Sequence, residues 1–434
     1  MLAERNNQPP CYNYIVVLPV IPAMKKTKAF LVILVCLMIG IATGCAAPDS
    51  FEGRLGKIID PYRFSIARWE IEALSYELEE FLFGSEDVTA DDSPLVLEYF
   101  ALSQQIGDIE WQVEFGGLQP NEIEVLKEEL EGLQEQKNGI EDSVEEIIEQ
   151  QIRETLAQLG IYNPLDSQLN LGITFPPVNF ELEQPPHLLI VSPRDNIERI
   201  EEIPLVQDIT LEERGEIEAA IDELGVSSIV VGLGGMATYP SFVVDTAGLQ
   251  FTINVAVEEW LHQYLAFRPL GFLYAMHLTG AFPNSDIATM NETLVGIVRE
   301  EIGSILYQKY YQPYLEDAAQ AVALSASDEE EFDFYEEMRQ IRLTVDDYLT
   351  WGEVEEAEAY MEEKRLFLAS KGYYIRRLNQ AYFAFYGTYA ASPTSVNPIG
   401  TELKALRQQA KSLTEYLNMV AAMNSRQDLQ NSLE

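Results

Sequence analysis

The chain has 434 residues, 47% of them hydrophobic and 10% aromatic, enough for a sizeable core and two or three domains; a generally disordered chain is excluded. Net charge is −43, and beyond residue 44 there are 24 basic side chains against 70 acidic ones, a net −46. A field of that sign repels nucleic acid and anionic lipid surfaces, so nucleic acid is not an expected partner. Cys11, Cys36 and Cys45 are the only cysteines, which leaves the body of the chain without a disulfide or a cysteine metal ligand. The histidines are His187, His262 and His277, so a metal site that does not use all three must lean on carboxylates.

Residues 1–23 contain Pro9, Pro10, Pro19 and Pro22 and show little periodicity. Met24-Lys25-Lys26-Thr27-Lys28 then precedes an apolar run from Ala29 to Ile41. That is a basic n-region and an h-region too short to span a bilayer comfortably. The run ends in Ile41-Ala42-Thr43-Gly44-Cys45, which resembles the lipobox of bacterial lipoproteins, with Ala42 where Leu is usual. The resemblance implies that residues 1–23 precede the natural start, that 24–44 are a lipoprotein signal peptide, and that Cys45 is lipidated. The protein would then be extracytoplasmic and anchored to the cell membrane through Cys45, with no helix crossing it. An ordinary secretory signal with a coincidental cysteine is the alternative. Residues 45–59 read as a tether.

From Asp60 a helical pattern begins, with Trp69, Ala73 and Tyr76 on one face. Ser93-Pro94 marks a fresh helix start, with Leu95, Tyr99 and Leu102 facing inward. From Asn121 the pattern is close to heptad: Ile123, Leu126, Leu130, Leu133, Lys137, Ile140, Val144 and Ile147. It predicts one long helix, or two broken near Asn138-Gly139, packed along a narrow stripe. A coiled-coil interaction arm and an intramolecular hairpin with a solvated acidic face are both compatible with it. Residues 60–159 thus form a helical N-terminal region.

At Gly160 the character changes, with Asn163-Pro164, Pro176-Pro177 and Pro185-Pro186 as punctuation. Leu188–Val191 and Ser228–Leu233 read as buried strands, Leu211–Leu224 as an amphipathic helix closed by Gly225, and Leu249–Val255 as a strand or the approach to a helix. Strands mixed with helices predict an α+β domain over 160–310. The region 311–434 is helical again, with a last amphipathic helix over Leu403–Val420 and a polar tail after Met423 expected to fray.

The chemistry gathers in Phe251–Gly303. In Glu258-Glu259-Trp260-Leu261-His262, Glu258 and His262 stand at i and i+4 on one helix face. A zinc peptidase needs two ligands held this way and a carboxylate beside them to take a proton from water; zincins write this as His-Glu-x-x-His. Here Glu258 stands in the first His position. Further on, Asn291-Glu292-Thr293 resembles the second active-site helix of the gluzincin zinc peptidases, whose Asn-Glu pair supplies the third ligand. Upstream, Gly235-Met236-Ala237-Thr238-Tyr239-Pro240 lies where that family has the edge strand that pairs with substrate.

The resemblance covers roughly 228–303. It implies His262 and Glu292 as metal ligands with Glu258 as the irregular third, Glu259 as general base, and Gly235, Met236, Ala237, Thr238 and Tyr239 as the substrate-binding segment. The implied fold class is mainly α with a central α+β zincin-like domain. The implied cofactor is Zn²⁺, although a Glu/His/Glu set weakens the metal as a Lewis acid and favours harder cations such as Mn²⁺ or Mg²⁺. The implied partner is a peptide or protein substrate.

Zincins also use a downstream hydroxyl to stabilise the oxyanion, which makes Tyr386 and Tyr389 candidates. Arg268 is a candidate partner for one of the carboxylates, while His187 and His277 read as packed residues and Glu300 as a solvated one. Three readings stay open: a metallopeptidase, an inactive pseudo-peptidase serving as a surface binding or scaffold lipoprotein, and a structural helical lipoprotein in which the motif is coincidence.

Overall fold

The computed structural model describes residues 49–65, 92–115, 119–164, 174–278, 281–314, 332–388, 394 and 397–434. Among the described residues helix makes up 65% and strand 8%, so the protein is mainly α with small sheets. Ala46–Glu434 forms one compact unit. Cys45, Tyr389 and the expected helical face at Trp69, Ala73 and Tyr76 lie outside the described residues. No helix among the described residues is long and apolar enough to cross a membrane.

The stretch expected to be a tether contains helix α1 (Phe51–Ile59). Ser50 caps it, its hydroxyl accepting from the Gly53 N–H, and Leu55 and Ile59, four apart, bury on one side. Helix α2 (Ser93–Phe115) begins where Ser93-Pro94 indicated. Val96, Tyr99 and Leu102 are buried on it, while Leu95 is half-buried. The near-heptad stretch is two helices, α3 (Pro120–Asn138) and α4 (Glu141–Leu159), parted at Gly139-Ile140. Helix α3 lies against α2, and α4 sinks Val144, Ile147, Ile148, Ile152 and Leu156 into the main core.

Two three-stranded sheets follow. In the first, β2 (His187–Pro193) lies between β3 (Glu201–Leu205) and β4 (Val226–Val231), antiparallel to both. Its backing helix α5 (Leu211–Asp222) starts on a Thr210–Glu213 capping box. In the second, β6 (Ser241–Val243) lies between β1 (Phe180–Leu182), parallel to it, and β5 (Gly235–Met236), antiparallel. Carboxylates from α4 close the outer side of β1: Glu149 accepts from the Phe180 N–H at 3.0 Å and Glu145 from the Leu182 N–H at 2.5 Å. Strand β5 is therefore the terminal strand on the side away from α4.

At the centre are α6 (Leu249–Ala266), α7 (Pro269–Leu278) and α8 (Ser285–Tyr310). Thr252, Ile253, Val255 and Val257 favour strand locally. The segment is a helix nonetheless, because it is buried on nearly every side. Helices α6 and α8 approach closely at Gly303, where an added Cβ would stand 1.9 Å from Asn254 Oδ1.

The C-terminal region holds α9 (Phe334–Thr350), α10 (Val354–Ser370), α11 (Gln380–Tyr386), α12 (Ile399–Gln409), α13 (Leu413–Ala421) and α14 (Arg426–Leu433). The single helix expected over Leu403–Val420 is split because Ser412 caps a new one. The tail expected to fray is helical, held by a Ser425–Asp428 capping box and by buried Leu429. One apolar cluster runs from Val96 on α2 through α4, α6 and α8 to Leu429 on α14, so helices from both flanks wall the centre.

Candidate metal centre

Helix α6 carries Glu258, Glu259 and His262, and α8 carries Asn291 and Glu292. Packing of α6 against α8 brings one ligand atom each from Glu258, His262 and Glu292 within 4.8 Å of one another. His262 Nε2 stands 3.9 Å from Glu292 Oε2. That oxygen is buried and has no hydrogen-bond partner among the described residues. A buried carboxylate oxygen without a hydrogen bond is costly, and here it faces an imidazole nitrogen across the gap between α6 and α8.

The supporting contacts fix both side chains. Tyr274 on α7 donates its hydroxyl to Glu292 Oε1. Its ring stacks on His262, with centroids 5.8 Å apart and planes at 26°. Asn291 Nδ2 stands 3.2 Å from His262 Nδ1, while Asn291 Oδ1 is buried without a hydrogen-bond partner among the described residues. With the amide turned so that Oδ1 faces the ring, Nδ1–H donates to it and the Nε2 lone pair is left for a metal.

Glu259 is 7% exposed. Burial, and then the charge of Glu292, push its carboxyl up to about 8. Strand β5 runs directly over it: a Cβ on Gly235 would stand 2.6 Å from Glu259 Oε1 and 2.5 Å from Val255 Cγ1. Only glycine lets the main chain come this close. Gln263, beside His262, donates to the Thr238 carbonyl at 2.6 Å and to Ser241 Oγ at 2.9 Å, tying the turn after β5 to the motif helix. Thr238 is buried and its own hydroxyl donates to the Pro240 carbonyl at 2.7 Å. Of the segment singled out for substrate, Met236 and Tyr239 are half-buried and Ala237 is exposed.

Glu258 has a partner that the sequence did not indicate. Arg299, seven residues beyond Glu292 on α8, donates from Nη1 to Glu258 Oε2. Arg268, the expected partner, instead donates to the Pro164 carbonyl at 2.9 Å and to the Asn418 carbonyl and side chain at 3.3 Å. Glu301 is held by Arg407, and Glu300 is exposed.

The remaining histidines are structural. His187 is buried, its Nδ1 3.2 Å from the Val206 carbonyl, and burial followed by the charge of Arg214 lowers its pKa. His277 accepts from the Asn284 N–H at 2.9 Å, and burial followed by the charge of Arg199 lowers its pKa. Tyr386 packs with Tyr382, Phe385 and Leu233 over the face of the β3-β2-β4 sheet. None of these described contacts reaches Glu258, His262 or Glu292.

The donor set fits a divalent cation through His262 and Glu292, with Glu258 as a third ligand that Arg299 contests. Two surface hollows lie elsewhere: one beside α1 and β3, lined by Glu52, Leu55, Arg63 and Glu201, the other between α8 and α12, lined by Ile297, Ser304 and Lys404. Neither brings donor atoms together as the cluster does, so the site is assigned on donor geometry. Comparison with known protein families, curated proteins and solved structures finds no match.

Proposed function

We propose that the chain is a metallopeptidase-like protein with a zincin-like centre, anchored outside the cytoplasm through a lipidated Cys45. The observation that carries this reading is the convergence of Glu258, His262 and Glu292, with Glu292 Oε2 left unsatisfied against His262 Nε2. The resemblance of Glu258–His262 and Asn291–Glu292 to gluzincin helices supports it independently.

Glu258, His262 and Glu292 would hold Zn²⁺ or a harder divalent cation. Such a cation, when bound, supplies charge stabilisation and lowers the pKa of water. Glu259 is the proton acceptor in its ionised form, which burial makes the dominant one only above about pH 8, and Tyr274 and Asn291 orient the two donors beside it. Strand β5, ending its sheet directly over Glu259, offers main-chain groups to an extended peptide. The test is hydrolysis of unstructured peptides by the purified protein with added metal. Cleavage is expected in the wild type and a loss of at least about 100-fold in Glu259→Gln. Equal cleavage by both proteins would rule Glu259 out as the base.

One observation favours a second reading. With Arg299 on Glu258, the first ligand position is already neutralised by an internal cation. A pseudo-peptidase that keeps the shape and serves as a surface binding or scaffold lipoprotein would carry such a pair. Glu258→His separates the two: gain of zinc and of peptide cleavage would show that the natural chain lacks them.

A further inference from the structure

The Glu258–Arg299 pair links α6 to α8 beside the candidate ligands. The Glu258 side chain is 12% exposed and that of Arg299 28%, so solvent screens the pair poorly. Arginine carries its charge at every accessible pH, which fixes a positive group at the first-ligand position. A carboxylate whose electrons are drawn to a guanidinium is a weaker metal donor, and the guanidinium charge also repels an incoming cation. The same charge offsets the mutual repulsion of Glu258 and Glu292, which offer oxygens within 4.8 Å of each other at largely buried positions.

We propose that Arg299 is a resident counter-cation that competes with divalent metal for Glu258, holding the carboxylate-rich centre together without metal and setting how tightly metal binds. This rests on the reading of Glu258, His262 and Glu292 as a cation site. A metal would use Glu258 only against the hold of Arg299 on that carboxylate. Arg299 is a positioning residue here, acting on metal through Glu258.

The test is calorimetric titration of the purified full chain with Mn²⁺ and Zn²⁺, paired with thermal melting, in the wild type, Arg299→Gln, His262→Ala and the double variant. Arg299→Gln is expected to bind metal at least about tenfold more tightly than the wild type, a difference of about 1.4 kcal/mol. The gain disappears when His262→Ala is added. Without metal, Arg299→Gln is expected to melt several degrees lower than the wild type, because Glu258 has lost its partner, and saturating metal restores it. Equal or weaker binding by Arg299→Gln overturns the inference; if the wild type still binds in a His262-dependent way, the metal reading survives alone. Binding by Arg299→Gln only sustains the inference while removing metal from the natural chain. Binding by neither overturns both. Should Arg299→Gln not fold, Arg299→Met removes the charge on an unbranched chain of similar length; it too is expected to bind metal at least about tenfold more tightly than the wild type, and equal or weaker binding overturns the inference.

Discussion

Glu259→Gln isolates the electrostatics of the site. Burial and the neighbouring Glu292 lift the Glu259 carboxyl from 4.5 to about 8 in the folded protein. Because the folded value is the raised one, the associated stability is fully present below about 4.5 and is lost as pH rises through about 8. At about 1.4 kcal/mol per pH unit, the loss is on the order of 5 kcal/mol across that window. Glutamine has nearly the same shape and cannot ionise, so the variant lacks this loss. Glu145, which burial lifts to about 9, titrates alike in both proteins and cancels in their difference. The assay is urea unfolding of metal-free wild type and Glu259→Gln from about pH 5 to about pH 9. The wild type is expected to lose stability relative to the variant up to about pH 8 and to level off above it. A difference that stays constant with pH would refute the reasoning, because Glu259 would then be ionised in the fold and not sealed under β5.

Three further outcomes are expected. Gly235→Ala forces a methyl to within 2.5 Å of Val255 Cγ1 and 2.6 Å of Glu259 Oε1; unfolding should show a loss of about 1–3 kcal/mol. Arg376→Met removes two hydrogen bonds, at 2.8 and 2.5 Å, from Glu218, which is 1% exposed and keeps only the 3.2 Å bond from Arg377 among its arginine partners. A loss of about 3–5 kcal/mol in urea unfolding is expected for breaking this buried pair. Tyr274→Phe removes the hydroxyl that holds Glu292 Oε1; metal affinity by titration should fall about 10- to 100-fold with little change in fold.

Much of the scaffold around the site is written in local pattern. The apolar runs of β2 and β4, the Thr210 cap of α5 and the Gly225 stop after it all act within a few residues. Strand β3 was not legible: Glu201-Glu202-Ile203-Pro204-Leu205 has the composition of a loop, and pairing with β2, with a bridge from Arg63 to Leu205 on its other edge, makes it a strand. Helix α14 was legible in principle, since Ser425-x-x-Asp428 is a capping signal, but its polar residues hide that Leu429 reaches the main core. At the site, the i, i+4 spacing puts Glu258 and His262 on one face, and the Asn291-Glu292 pair marks the second helix. That Arg299 and not Arg268 meets Glu258 depends on how α8 lies along α6, a register set by close approach at Gly303 and invisible in spacing. Tyr274 was missed for the same reason: only the fold-back of α7 onto α6 and α8 brings its hydroxyl to Glu292.

The most direct test of the central claim is the metal content of the purified chain, measured by elemental analysis after incubation with saturating Zn²⁺ or Mn²⁺ and dialysis. The account predicts about one divalent ion per chain, lost in His262→Ala and kept in His277→Ala. A wild-type protein that stays metal-free at saturation would contradict it.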